Sequence, residues 1–211
     1  MSRAGRHWWI AWEHRIPPLF MEHLKPWLPA VTLGLLDLEG ALHELKPDAT
    51  NHMMDLEVMA VARAERKQLL FLETIDEQLA MFDQVPLDEQ IGELRRTLSE
   101  GSSLQGKSML RAFADGDEAA LTESLFEPDQ VAQAPGFFDV VLNQRNARWL
   151  PVLEREIARG QAFVAVGAAH LLGDRGILAQ LRQRGYVVTR VGLPTPRLSS
   201  EMTPGPVPSP G

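Results

Sequence analysis

The 211-residue sequence contains no cysteine. Disulfide bonds, thiolate metal sites and a cysteine nucleophile are therefore excluded. No apolar run reaches the roughly 18 consecutive residues that a membrane-spanning helix needs, so we expect no membrane span. The N-terminal apolar run, Trp8–Trp12, is too short for the apolar core of a signal peptide, and we predict none in this chain.

Basic residues are also few. The chain has 21 Lys and Arg against 28 Asp and Glu, which gives a net charge of −7. Proteins that bind nucleic acid through a basic face have the opposite balance, so we expect no nucleic-acid partner. The hydrophobic fraction of 45% and the charged fraction of 23% are those of an ordinary globular domain.

Strand-type segments are scarce in a chain dominated by helical spacing of apolar residues. We predict strands only at 68–74, 161–167 and 186–191, where β-branched and aromatic residues cluster. The last two flank a helical segment, which is the pattern of a βαβ unit. The fold class that we predict is α+β: a helix-rich domain with a small mixed or parallel sheet that includes a C-terminal βαβ unit.

The chain divides into a domain at 17–192 and a tail at 193–211 that is rich in proline, serine and glycine. Such a tail cannot bury enough apolar surface to offset the entropy of ordering, so we predict that it is disordered. Two helices are expected to begin at aspartate N-caps, Asp55 and Asp174.

His170 is the first candidate functional residue. It follows the strand predicted at 161–167, whose last residue is Gly167. In open α/β sheets, ligands bind at the carboxyl ends of strands, and a glycine there permits a sharp turn or close approach to a ligand. Imidazole is a metal ligand and a general base. The alternative is a histidine that only hydrogen-bonds a turn.

Glu73 and Arg145 are the other candidates. Glu73 ends a predicted strand, where a carboxylate can bind metal or act as a base; alternatively, it only interacts with the dipole of the helix that starts nearby. Arg145 lies on a predicted helix and can hold a carboxylate or stabilise developing negative charge. Its alternative is a surface arginine beside Trp149.

Three short segments resemble sequence motifs of a known protein family: "FLETIDEQL" at 71–79, "NQRNARW" at 143–149 and "VGAAHLLGDRG" at 166–176. In this order they resemble the TraB/PrgY/GumN family, which includes the Tiki proteins. The first resembles its L-E-T-x-x-E-Q-L segment, the second its E-R-N-x-x-W helix with Gln144 in place of glutamate, and the third its C-terminal G-x-x-H motif. The resemblance extends from about Leu19 to Val191.

The resemblance implies an α+β domain in which two G-x-x-H motifs converge at the site of a metal-dependent hydrolase. Tiki members are described as metal-dependent proteases, and erythromycin esterase and the haem-binding ChaN proteins are considered relatives. By this resemblance His170 is a metal ligand or catalytic histidine, Glu73 an acidic partner and second ligand, and Arg145 a member of the same pocket. The implied metal is Mn, Co or Zn, and the implied substrate a peptide or small molecule.

The chain departs from the family pattern in one respect that matters for function. The first G-x-x-H motif of the family lies upstream of the region that matches Leu19, and the chain has no counterpart to it there. Residues 1–16 match nothing in the family, so the chain resembles only its C-terminal two-thirds. A sheet without its first strands would expose an edge through which the chain could self-associate. The alternative to a hydrolase is therefore a truncated or degenerate member that acts as a non-catalytic binding or regulatory module. Many bacterial members are exported, whereas nothing in this chain directs export; as it stands the chain would be cytoplasmic, and the sequence leaves its location undecided.

Overall fold

The computed structural model of the protein describes residues 24–47, 54–99 and 102–192. Regular structure within these ranges is helical throughout, and they contain no β-strand. The prediction of an α+β fold with a small sheet is therefore wrong. The segment 1–16 and the tail 193–211 lie outside the described residues. Within the described ranges no helix has the length and apolarity to cross a bilayer.

Eleven α-helices and one π-helical turn follow one another along the described residues. The first six helices are α1 (Trp27–Leu45), α2 (Met54–Ala64), α3 (Ile75–Phe82), α4 (Leu87–Thr97), α5 (Ser102–Asp115) and α6 (Glu118–Leu125). Then come α7 (Pro128–Gln133), α8 (Pro135–Phe138), the π-helical turn Asp139–Asn143, α9 (Gln144–Arg159), α10 (Ala168–Leu171) and α11 (Ile177–Gln183).

The first half is built around α1, which packs against α4 and α5. Its buried face carries Ala30, Leu33 and Ala41, at the three- and four-residue spacings of one helix face. At its N-terminus the Trp27 ring stacks on Phe82, with the ring centroids 4.7 Å apart. By contrast, α2 buries none of its residues.

Helix boundaries follow local chemistry at several points. Thr74 caps α3 through a capping box, in which its hydroxyl accepts from the Glu77 backbone N–H and the Glu77 carboxylate accepts from the Thr74 N–H. Gly116 separates α5 from α6 with a positive φ of 65°, which favours glycine.

The two aspartate caps are not where we predicted them. Asp55 lies in the first turn of α2, which begins at Met54. The N-cap of α11 is Gly176, not Asp174. A Cβ at Gly176 would lie 2.2 Å from the Leu172 carbonyl oxygen, so close packing of the backbone requires glycine at this position.

The second half has its core between α9 and α11. Trp149, Leu150 and Leu153 from α9 form a buried cluster with Ile177 and Leu181 from α11. Leucine and isoleucine at these spacings place one face of each helix inward, so the two helices bury each other's apolar side chains.

The three segments predicted as strands all contact this α9–α11 cluster. Leu72, Val166, Tyr186 and Val188 are half-buried against it. No backbone hydrogen bond joins one of these segments to another among the described residues. Clustered β-branched and aromatic residues predicted strands here, but a strand also needs a hydrogen-bonded neighbour, and these segments do not pair with each other. The described residues therefore contain no sheet edge of the kind through which we expected self-association.

Candidate functional site

The candidate site is centred on the N-terminal half of α9. Arg145, Asn146 and Trp149 are all buried there, on one face of the helix. The π-helical turn Asp139–Asn143 leads directly into this helix. Such turns are rare and occur frequently at functional sites, because the extra residue re-aims the side chains that follow.

Arg145 binds Glu73 in a two-pronged ion pair. Its Nε donates to Glu73 Oε2 over 3.0 Å, and its Nη2 donates to Oε1. Its Nη1 donates to the Val141 carbonyl oxygen over 3.0 Å. Only 10% and 14% of the Arg145 and Glu73 side chains are exposed. The pair is therefore largely desolvated, and both carboxylate oxygens of Glu73 are engaged by Arg145.

Asn146 fixes the position and the protonation of His170. Its Nδ2 donates to the carbonyl oxygens of His170 and Arg175, over 3.3 Å and 3.2 Å. Because both partners are acceptors only, the Asn146 atom that faces the imidazole is Oδ1, 2.8 Å from His170 Nδ1. His170 Nδ1 must then carry a proton and donate it. The Nε2 atom is left with a free lone pair.

His170 is neutral at physiological pH. The side chain lies on the short helix α10 and the residue is only 6% exposed. Burial lowers the pKa of His170 to about 4, and the positive charge of Arg145 lowers it further in the same direction. A neutral imidazole with a free Nε2 can accept a proton or a metal bond at that atom.

Trp149 joins the two halves of the site. Its ring lies 4.5 Å from the His170 ring between centroids, and the Arg145 guanidinium carbon lies 4.7 Å above it. The indole Nε1–H is buried and has no acceptor among the described residues. A buried donor without a partner costs about 1–3 kcal/mol, so this N–H is available to a water molecule or a bound ligand.

The structure brings the three predicted residues into one neighbourhood, but not into the expected arrangement. Arg145 and His170 both contact Trp149, and Glu73 contacts Arg145. No group of three or more His, Asp or Glu side chains that could hold a metal occurs in the described part of the chain. Glu73 is an acidic partner of Arg145.

Gly167 precedes α10 with a φ of −57°, a conformation open to any residue. A Cβ at this position would only meet His170 Cδ2 at 3.8 Å, an ordinary contact. Nothing in the described residues explains why this position is glycine, and its role in ligand approach stays a prediction.

Two residues of the site were not among the predicted site residues: Asn146 and Trp149. Both belong to the "RNARW" stretch of α9, and their spacing from Arg145 puts them on its buried face. The signal was available, because an asparagine on the apolar face of a helix must have partners to satisfy its amide. Of the other histidines, His43 is exposed on α1, and His7, His14, His23 and His52 lie outside the described residues.

The chain is similar in sequence to one protein family and to several known proteins. Residues 10–190 match the model of the TraB/PrgY/gumN family. The chain is 30% identical to the uncharacterized protein YbaP of Escherichia coli over an alignment of 135 positions, which covers 61% of this chain and 47% of YbaP. It is 26% identical to the metalloprotease TIKI2 of Xenopus tropicalis over an alignment of 168 positions, which covers 64% of this chain and 31% of TIKI2.

The chain thus spans about half the length of YbaP and about a third of TIKI2. No solved structure matches it. The likeness to TIKI2 is a likeness to a protein named a metalloprotease, over a minor part of its length.

Proposed function

The chain belongs to the TraB/PrgY/gumN family, and from this membership we propose that it carries a hydrolytic site centred on His170. The observation that supports the proposal is the state of this imidazole. It is neutral, Asn146 holds its Nδ1–H, and Nε2 has a free lone pair. A general base must be unprotonated at neutral pH and must have a free lone pair, and His170 meets both conditions; its pKa of about 4 makes it a weaker base than an imidazole that titrates near the working pH.

In the proposed reaction, His170 Nε2 accepts a proton from a water molecule as that water attacks an amide or ester carbonyl. The imidazolium then gives this proton to the leaving nitrogen or oxygen as the C–N or C–O bond breaks, which releases the acid and the amine or alcohol and restores neutral His170. Asn146 stabilises the resulting imidazolium through its Oδ1, as the second hydrogen-bond partner does in other histidine-based sites. The Trp149 Nε1–H, which has no acceptor among the described residues, is the donor available to a bound polar atom.

A metal is part of the family expectation, and the described residues fit it only in part. His170 Nε2 suits one ligand position of Mn, Co or Zn. Glu73 does not fit as the second ligand, because Arg145 engages both of its carboxylate oxygens. A catalytic metal site needs about three protein ligands, so the remainder would come from outside the described residues. The mechanism above therefore contains no step at a metal.

The test is a hydrolysis assay on the full chain, with a mixture of blocked peptides read by mass spectrometry, with and without added Mn, Co or Zn. His170→Ala should lower the rate by about 10²–10⁴-fold, the typical contribution of a general base. His43→Ala, which changes an exposed histidine on α1, should keep the wild-type rate. Equal rates for wild type and His170→Ala would refute the proposal.

A second candidate is the non-catalytic binding or regulatory module. The observation that favours it is the Glu73–Arg145 pair, because an acidic residue neutralised by arginine is not free to bind metal or act as a base. This reading predicts no hydrolysis by wild type, no heat of metal binding in a calorimetric titration, and unchanged partner binding and folding in His170→Ala. Loss of partner binding in that variant would count against it.

A further inference from the structure

A groove with a volume of about 360 Å³ lies beside the candidate site. Its walls come from α1, α4, α5 and α6, and from the α8 to π-helical turn segment. The apolar part of its lining includes Val31, Leu38, Met109, Phe137, Val141 and Leu142. The volume falls within the range of about 300–1,000 Å³ that is typical of ligand sites.

The groove touches two residues that adjoin the His170 site. Its lining includes Ala169, the residue immediately before His170 in the sequence. It also includes Val141, whose carbonyl oxygen accepts from Arg145. A molecule in the groove would therefore contact the residue that precedes His170 and the turn that holds Arg145.

The charged residues in the described lining of the groove are Asp37, Glu93 and Arg96, and Arg96 is paired with Glu93. Arg96 donates from Nε and Nη2 to the Glu93 carboxylate, the Nε contact being 3.0 Å, and from Nη1 to Gln105 Oε1 over 3.2 Å. Arg96 is the only lysine or arginine in the described lining. Since its guanidinium is paired, the groove has no free cation for a carboxylate or phosphate, and an uncharged apolar group suits it best.

We propose that this groove binds an uncharged, apolar side chain of a peptide substrate and so sets the sequence preference of the His170 site. The inference rests on the proposed function, since it names the substrate class of that site. An aliphatic or aromatic side chain of the peptide would remove the apolar lining residues of the groove from water. The peptide backbone would then continue past Ala169 toward His170.

Two glycines of α1 make a matched test. A Cβ at Gly34 or at Gly40 would meet no atom within 4 Å, so both positions accept a side chain without a clash. Gly34 lines the groove and Gly40 does not. Gly34→Leu fills the groove, whereas Gly40→Leu makes the same change to the same helix away from it, and both replace a poor helix former.

The measurement is methyl NMR of the full-length protein, titrated with acetyl-Leu-Leu-Phe-amide and, separately, with octanoate. We expect peptide-induced shifts at the methyl groups of Val31, Met109 and Val141, with binding about tenfold weaker in Gly34→Leu and unchanged in Gly40→Leu. Octanoate, which adds a carboxylate to an apolar chain, should bind more weakly than the peptide.

Three results would overturn the inference. One is equal peptide binding by the two glycine variants. Another is octanoate binding as tight as that of the peptide. A third is contacts from residues 1–23 to the groove that exclude the peptide. His170→Ala separates this inference from the proposed function: that variant should bind the peptide as wild type does, so hydrolysis can fail its test while binding in the groove passes, or the reverse.

Discussion

The first half of α9 and the segments at 161–167 and 186–191 differ in how deeply their apolar side chains are buried. Leu150 in α9 is 1% exposed and Asn146 is equally buried, whereas Phe163 and Val187 in the flanking segments are 81% and 93% exposed. Both regions are rich in residues that a core would accept. A helix satisfies its backbone hydrogen bonds internally and can be buried alone, whereas a strand needs a partner before it can be buried on both faces. The described residues therefore complete the buried helix α9 by themselves, whereas the predicted strand segments do not pair with one another among them.

The largest effect should come from breaking the buried ion pair. Arg145→Ala leaves the Glu73 carboxylate buried without its cation, and we expect a loss of about 3 kcal/mol in the free energy of unfolding. The matched control is Arg155→Ala on the same helix, because the Arg155 side chain is 57% exposed and its partner Glu156 keeps a second ion pair with Arg159. That loss should stay below about 1 kcal/mol. Urea unfolding measures both, and equal losses would contradict the burial of the pair.

A pH effect of similar size should follow from His170. Its pKa is about 4 in the folded protein and about 6.5 in the unfolded chain, so the unfolded chain binds the extra proton between these values. The stability contribution is complete above pH 6.5 and is lost as the pH falls toward 4, by about 3 kcal/mol in total. Urea unfolding at a series of pH values measures this: between pH 6.5 and 4 the free energy of unfolding should fall more steeply in the wild type than in His170→Gln. Parallel slopes would show that burial does not hold this imidazole neutral.

A smaller loss is expected when Asn146 is truncated. Asn146→Ala removes the donor to two buried carbonyl oxygens and the acceptor for His170 Nδ1, for a cost of about 2 kcal/mol. The ¹⁵N shifts of the imidazole should also change, since the tautomer is no longer fixed. Asn143→Ala is the control, because its amide makes only a long 3.5 Å contact to Asp139. A wild-type imidazole spectrum in Asn146→Ala would refute this assignment.

The smallest effect should occur in the exposed segments. Val187→Thr keeps the shape of the side chain and should change stability by less than about 0.5 kcal/mol, because the side chain is almost fully exposed. Because Val187 is exposed in the single chain, we expect the same result at every protein concentration. A loss above about 1 kcal/mol that grows with protein concentration would show that the segment is buried against a second copy.

Much of the helical half of the fold was predictable. The helical spacing of apolar residues that dominates the sequence corresponds to helices along the described residues. The three predicted strands are wrong for a physical reason. Clustered β-branched and aromatic residues describe one strand, whereas a sheet depends on which segments meet, and that information is not local.

The site was predictable as a set of residues and not as an arrangement. Glu73, Arg145 and His170 were each identified from position and resemblance, and the structure brings them near one another. The ion pair between Glu73 and Arg145 was not expected, because the two residues are 72 positions apart in the sequence. They meet only when the segment that contains Glu73 packs against α9. The same holds for Asn146 and His170, which are 24 positions apart.

The sequence by itself determined the absence of thiol chemistry, the acidic charge, the helices and the identity of the residues that could act. Each of these depends on composition or on neighbours within a few positions, which the chain order shows directly. The tertiary structure alone decided that Arg145 neutralises Glu73, that Asn146 leaves Nε2 of His170 free, and that Ala169 lines a groove. Those properties depend on burial and on hydrogen-bond partners that are distant in sequence, so only the packed chain defines them.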